Sequence, residues 1–209
     1  MKRNPENVLR SLTLFVFMFA SFGPRLWAEV ASGQKAPDFS LQDTKGQMRS
    51  LSEFSGKYVV LEWTNPDCPF VKKHYGSGNM QKLQSEAAAK GAVWLQIASS
   101  TEGKQGYYSA AEWNDINAKN ASAAAALLLD PDGKTGRAYG AQTTPHMYLI
   151  NSDGVLIYQG AIDDHPTPDP ADIPNSVNYL SQALNEALQG KPVSVSATKS
   201  YGCSVKYAY

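Results

Sequence analysis

The chain has 209 residues, with 19 basic and 19 acidic side chains, a net charge of zero, 43% hydrophobic residues and two cysteines. With no basic run and no basic–aromatic patch, nucleic acid is not an expected partner. No internal repeat or heptad pattern divides the sequence, so its bulk fits one domain with a sizeable core.

Lys2, Arg3 and Arg10 form a basic leader, and the apolar run "SLTLFVFMFASF" that follows ends at Gly23-Pro24. That run falls short of the ~20 apolar residues of a membrane span and suits the ~7–15-residue core of a secretory signal. Residues 1–28 are therefore expected to be a signal peptide cut after Ala28, leaving no stable membrane span and an exported chain, periplasmic or secreted. The leader carries four basic residues and one acidic, so what remains is mildly acidic. Outside the reducing cytosol, an even cysteine count suggests pairing.

Two extended pieces, Phe39–Leu41 and Met48–Leu51, flank a Lys45-Gly46 turn and predict an N-terminal hairpin. "KYVVLEW" is continuous and β-branched, as a central strand buried on both faces requires. Beyond Cys68 a helix is expected, broken by Gly76 and Gly78. Asn79 is then expected to cap a second piece with Met80, Leu83 and Ala87 on one face. "AVWLQIA" predicts another buried strand, and Glu112 to Lys119 a helix. Next come "ALLLD", a "DPDG" turn, a short helix through "KTGRAYG", and the hairpin "HMYLIN"/"VLIYQGAI" around "SDG". Asp163 to Pro174 is Pro-rich and reads as a surface loop. Tyr179 to Leu188 has one apolar face and predicts a helix stopped by Gly190 and Pro192. The tail, residues 191–209, has some strand character. The order predicts an α/β domain over residues 33–190, a mixed central sheet covered by helices.

Four stretches, "GQKAPDFSL", "KYVVLEWTNPDCPFVKKH", "LLDPDGKTGRAYGAQTTPHMYLIN" and "DGVLIYQGAID", resemble in content and order the thioredoxin-fold redoxins of the alkyl hydroperoxide reductase/thiol-specific antioxidant (AhpC/TSA) family. The resemblance runs from about Gly33 to Gly190. It implies a thioredoxin-like fold with an N-terminal hairpin, a C-terminal tail and thiol chemistry that needs no cofactor. The implied partners are protein thiols or disulfides, or a peroxide, together with a thiol reductant.

Cys68 stands where a strand ends and a helix begins, and its case is physical as well as familial. A helix N-terminus carries about +0.5 charge and free N–H groups, both of which stabilise a thiolate. Lys72 and Lys73 are expected to add positive charge, and Asp67 to oppose it. Pro69 suits the first helical position, where its missing N–H costs nothing. The bland alternative is a buried, inert cysteine.

Glu62 lies six residues before Cys68, the offset of the buried proton-moving acid in thioredoxins. Between Leu61 and Trp63 its pKa should rise toward the working range; the alternative is a carboxylate paired with a lysine at a sheet edge. Thr144-Pro145 precedes "HMYLI", where the resemblance implies a cis proline that presents the backbone of Thr144 to an extended substrate. Trp63 and Pro69, flanking the thiol loop, are expected to line that substrate as well.

Val71 holds the position of the usual second cysteine. The tail "GCSVK" resembles those of some exported redoxins, which implies Cys203 as the resolving thiol. A static staple, worth ~4–5 kcal/mol in the chain-entropy model, and a free tail thiol remain open. Peroxiredoxins place a Thr or Ser three residues before the reactive cysteine and an Arg near the later strand. Here those positions hold Asn65 and Pro145, while Thr64 is one residue off and Arg137 lies on another element. The expectation is a thiol–disulfide oxidoreductase using Cys68, Cys203 and Glu62. The alternatives are a thiol peroxidase, a copper-binding redoxin using Cys68, Cys203 and His146, and a purely structural redoxin domain.

Overall fold

The computed structural model of the protein describes residues 30–208, so the expected signal peptide lies outside the described residues. "VVLEW" forms β3 (Val59–Trp63) and "VWLQIA" forms β4 (Val93–Ala98), side by side and parallel, with Leu61 opposite Leu95. On the far side of β3 runs β7 (His146–Ile150), antiparallel, with Leu61 opposite Tyr148. All five residues of β3 and of β7 are buried, which explains why neither alternates polar with apolar residues.

The sheet extends outward on both sides. The strand β5 (Ala126–Leu129) joins β4 in parallel, and the N-terminal hairpin of β1 (Ser40–Asp43) and β2 (Met48–Ser50) adds to it antiparallel. The strand β8 (Leu156–Gly160) returns from β7 through the expected hairpin. The resulting order is β2-β1-β5-β4-β3-β7-β8, a mixed sheet of seven strands. Its front hairpin begins and ends slightly off the expected bounds, because Leu51 already belongs to a 3-10 turn over Leu51–Phe54.

Side-chain alternation along β3 divides the interior. Val60 faces a core made with Met80, Leu83, Ala87, Met147, Leu149, Leu180 and Leu184. Leu61 and Trp63 face a second core with Leu95, Ile97, Leu128, Tyr139 and Tyr148. Each fully buried Leu or Val contributes about 1.5–3 kcal/mol, so both faces anchor the strand that carries the site.

The first face is covered by α1 (Pro69–Gly76), α2 (Asn79–Ala89) and α5 (Tyr179–Leu188). The break between α1 and α2 falls as expected, but the cap differs. Gly78, at φ 77°, takes the cap position in a left-handed conformation that a glycine adopts without strain. Asn79 thereby becomes the first helical residue and turns its amide to His74 Nδ1 at 2.8 Å.

The helix α3 (Ala110–Lys119) starts two residues ahead of expectation. Ser109 and Glu112 close a capping box there: the Glu112 N–H donates to Ser109 Oγ at 3.3 Å, and the Ser109 N–H donates to Glu112 Oε2 at 2.7 Å. The short α4 (Lys134–Tyr139) follows the "DPDG" turn, where buried Asp130 accepts from the Ser99 hydroxyl and the Gly136 N–H.

Two remaining pieces define the site. The strand β6 (Thr143–Thr144) pairs antiparallel with β9 (Cys203–Ser204), forming a two-stranded sheet apart from the main one. The Pro-rich segment at 163–174, expected as a surface loop, departs from it at both ends: Asp163 is buried, and Pro170–Asn175 winds into a 3-10 helix capped by Asp169.

Candidate active site

The chain leaves β3 through Thr64–Asp67 in a tight turn. The Cys68 N–H donates to Asn65 O at 3.1 Å, and Asn65 Oδ1 accepts from the Asp67 N–H at 2.9 Å. Cys68 is the N-cap of α1 and Pro69 its exposed first residue. The Cys68 side chain is fully buried, and its Sγ donates to Thr144 O at 3.0 Å. The Thr144-Pro145 peptide bond is cis, and both residues are buried.

What buries them is the tail. Thr144 pairs with Cys203 and Thr143 with Ser204, and the Val205 N–H donates to Gln142 O at 2.9 Å. Gly202 permits the approach: at φ 126°, any Cβ added there would overlap the carbonyl oxygen of Thr144. The pairing carries Cys203 to Cys68, close enough for its thiol and its backbone N–H to act on the pKa of the Cys68 sulfur. No disulfide joins them; both cysteines are free thiols.

The two thiols are driven in opposite directions. Burial disfavours charge on Cys68, but hydrogen bonds from the Cys203 thiol, Thr144, the Val71 N–H and the Cys203 N–H outweigh it, and its pKa falls below the ordinary thiol value. Burial, together with the hydrogen bond to Cys68 and the charge it carries when ionised, pushes Cys203 up to about 11, against a small opposing effect of Lys206. Of the two thiols, Cys68 is the more readily ionised.

The expected lysine contribution is absent. Neither Lys72 nor Lys73 is among the groups that lower the Cys68 pKa. Lys72 is exposed, whereas Lys73 is buried and donates to His165 O at 2.9 Å beside Asp163, 3.6 Å away. Asp67 turns its carboxylate to the Tyr108 hydroxyl, which lies 3.0 Å from both its oxygens.

Glu62 is fully buried in the middle of β3 rather than at a sheet edge, with no lysine beside it. It accepts from Trp94 Nε1 at 2.8 Å, from the Tyr75 hydroxyl at 2.9 and 3.1 Å, and from Gln84 Nε2 at 3.4 Å. Burial raises its pKa, and these bonds, with one from Thr64, only partly offset the rise. None of its hydrogen bonds runs to a cysteine among the described residues. Trp63 needs correction as a substrate-lining residue. The alternation that points Glu62 at α1 and α2 points Trp63 into the opposite core, fully buried, with Nε1 donating to Ser99 Oγ at 3.0 Å.

The structure thus brings together Cys68, Cys203, Thr144, Pro145 and Pro69, and leaves Glu62 and Trp63 behind them. It also adds a cluster that sequence reading missed. Tyr201, two residues before Cys203, donates to buried Asp163 and packs its ring, tilted by 60°, against Phe70 with centroids 5.7 Å apart. Lys73 lies 5.8 Å from the Tyr201 ring centroid, and His74 Nε2 is 3.4 Å from its hydroxyl. Burial, opposed by Asp163 and reinforced by Lys73, lowers His74 to a pKa of about 4. Charged residues on a helix normally read as a solvated face, so nothing in "VKKHY" announced this cluster.

On the other side of Cys203, Thr101 N–H donates to Lys206 O at 2.9 Å and the Tyr207 hydroxyl to Ala141 O at 2.7 Å. Arg137 packs its guanidinium over the Tyr207 ring at 4.7 Å and donates to Asp132 O and Ala208 O. Arg137 is therefore spent on the tail. Thr64, the other residue considered for polarising a peroxide, hydrogen-bonds Glu62. His146, the histidine considered for copper, has Nδ1 3.3 Å from the Gln142 nitrogen and 3.1 Å from the Tyr148 hydroxyl. No group of three or more His, Cys, Asp or Glu suited to a metal ion occurs among the described residues.

Comparison with known proteins agrees with this architecture. The AhpC/TSA family model matches residues 32–159. A thioredoxin-like protein, YneN, of Bacillus subtilis (strain 168) is 28% identical over 128 residues, 61% of this chain and 69% of that one. A thiol-disulfide oxidoreductase, ResA, of Geobacillus thermodenitrificans (strain NG80-2) is 24% identical over 168 residues, 74% of this chain and 86% of that one. Among solved structures, a hypothetical protein from Sinorhizobium meliloti 1021 has a TM-score of 0.73 at 24% identity, covering 86% of this chain and 96% of its own. The thioredoxin domain of a thiol-disulfide oxidoreductase from Bacteroides vulgatus has a TM-score of 0.50 at 22% identity, covering 63% and 89%. The fold is thioredoxin-like.

Proposed function

The chain belongs to the AhpC/TSA family, and on that premise we propose that it is an exported thiol–disulfide oxidoreductase whose working pair is Cys68 and Cys203. The observation that carries the reading is the contact between these two thiols, with the pKa of one lowered and that of the other raised. The name of the similar ResA protein, a thiol-disulfide oxidoreductase, supports the same reaction class. Residues 33–190 supply the nucleophile and the residues around it, and residues 191–209 supply the second thiol.

In this reading the Cys68 thiolate attacks one sulfur of a partner's disulfide, and the partner's other sulfur leaves as a thiolate. Cys203 then gives up its proton and attacks Cys68. The mixed disulfide breaks, the partner departs with its second thiol, and a Cys68–Cys203 disulfide remains. Two electrons have passed to the partner, and an external thiol reductant returns the pair to its starting state. In the mixed disulfide Cys68 carries no charge, so burial is what still raises Cys203, and its deprotonation is the step that calls for a base. Glu62 is proposed for that proton, its pKa displaced in the direction a base at neutral pH requires. Its bonds run to Tyr75, Gln84 and Trp94, so a proton from Cys203 reaches it through a neighbouring group or solvent.

A thiol-peroxidase reading retains one supporting observation: the full burial of Cys68 suits a substrate as small as a hydroperoxide. Against it, Arg137 and Thr64 are engaged elsewhere.

The deciding experiment uses reduced protein with a disulfide-bonded protein substrate and, separately, with hydrogen peroxide. The oxidoreductase reading expects Cys203→Ser to accumulate a mixed disulfide through Cys68, and Cys68→Ser to accumulate none. Rapid stoichiometric loss of peroxide with no mixed disulfide in the Cys203→Ser protein would replace it with the peroxidase.

A further inference from the structure

The resemblance implies that the backbone of Thr144, beside Cys68, presents hydrogen-bonding groups to an extended chain. Here that position is already taken. The strand β9 pairs with β6 in antiparallel register, its cysteine opposite Thr144 and its thiol on Cys68. Cys68 is fully buried beneath it, whereas Cys203 is only partly covered. The tail therefore sits on the nucleophile as a bound polypeptide would, complete with its own cysteine.

The attachment is built for a stable yet exchangeable fit. Gly202 admits the close approach to the Thr144 carbonyl. Tyr201 on the buried Asp163, and Tyr207 with Arg137, hold the strand from either end. Between those anchors the pairing is only two residues long, so few backbone hydrogen bonds are lost when it opens. Any strand that replaces it recovers the same bonds from Thr143 and Thr144.

We propose that β9 is a built-in competitor for the substrate strand, so that a polypeptide partner reaches Cys68 only by displacing this chain's own tail. The partner is an extended, cysteine-bearing segment that pairs with Thr143–Thr144. Re-pairing of β9 returns Cys203 to Cys68, so resolution and expulsion of the partner become one movement. This rests on the oxidoreductase reading and adds to it the rule of access.

The test reads access alone. In a Cys203→Ser background Cys68 is the sole cysteine. Its labelling by N-ethylmaleimide is compared with labelling by a maleimide carrying a long polyethylene glycol chain, each rate normalised to the unfolded chain. The expected result is a folded-state rate for the bulky reagent suppressed at least about tenfold beyond that for the small one. Adding Gly202→Ala should abolish most of that difference while the circular dichroism of the domain is retained. Should that variant not fold, Tyr201→Ala, which releases one anchor, is expected to narrow the difference in the same direction. Equal suppression for both reagents, or a folded Gly202→Ala protein as selective as its parent, would overturn the proposal. Because no turnover is measured, loss of the oxidoreductase reading in the trapping experiment leaves this result readable, and the reverse also holds.

Discussion

Cys68 and Cys203 are the same side chain with pKa values displaced in opposite directions, partly by each other, and each therefore reports on the other. Replacing Cys203 with Ala removes a donor that stabilises the Cys68 thiolate, so the Cys68 pKa should rise toward the free-thiol range, as followed by ultraviolet thiolate absorbance against pH. Replacing Cys68 with Ala should bring Cys203 down from about 11, because two of the influences that raise it disappear. Glu62 gives a second prediction. Its folded pKa is raised by burial, so between the unfolded and folded values the native state binds more protons and stability falls as pH rises through that window. Glu62→Gln removes the penalty. The melting temperature of the variant relative to the parent should therefore become more favourable from about pH 5 to pH 8. A pH-independent difference would mean that Glu62 does not ionise across that range in the fold.

At the scale of elements, α1 is pinned at both ends of its first two turns. Its N-terminus carries Cys68 as the cap, and its buried face sends Lys73 and His74 to Asp163 and Tyr201. Lys73→Met leaves the Asp163 carboxylate buried without its cation, which typically costs 3–5 kcal/mol; urea unfolding of the reduced protein checks this. Tyr201→Phe keeps the ring against Phe70 but loses the bond to Asp163, for about 1–2 kcal/mol. It should also slow closure of the Cys68–Cys203 bond, measured by quenched alkylation after adding an oxidised dithiol. A fall in stability with no change in closure rate would make Tyr201 a packing residue only. Elements whose signal lay in their own sequence were legible: the "KYVVLEW" strand, the hairpin around "SDG" and the amphipathic Tyr179–Leu188 helix fall where periodicity puts them. The Asn79 cap failed because a glycine at φ 77° took its place, and a glycine's dihedral is not written in its identity.

Across the whole molecule, the site depends on contacts between segments far apart in the chain, and this is where sequence reading ran out. Residue types and spacing single out Cys68 as a candidate, and the family resemblance adds Glu62, since a strand, a turn and a helix start are local. Strand alternation already sets Trp63 and Glu62 on opposite faces, but that both faces are closed cores, and that Lys73 pairs inward, requires the rest of the fold to be in place. A bond between Cys68 and Cys203 would close a loop of about 135 residues, for which the chain-entropy model gives about 4–5 kcal/mol. The oxidised protein should therefore resist guanidinium more than the reduced one; equal midpoints would show that the bond strains the native state by as much as it constrains the unfolded one. The same separation has a consequence during biosynthesis. At about 5–20 residues per second, Cys68 is synthesised on the order of ten seconds before Cys203 exists. Under the proposed export, a chain delivered during synthesis would meet an oxidising compartment while its single thiol has no correct partner. The fold that later seals Cys68 beneath its own C-terminal strand is also what ends that vulnerable interval.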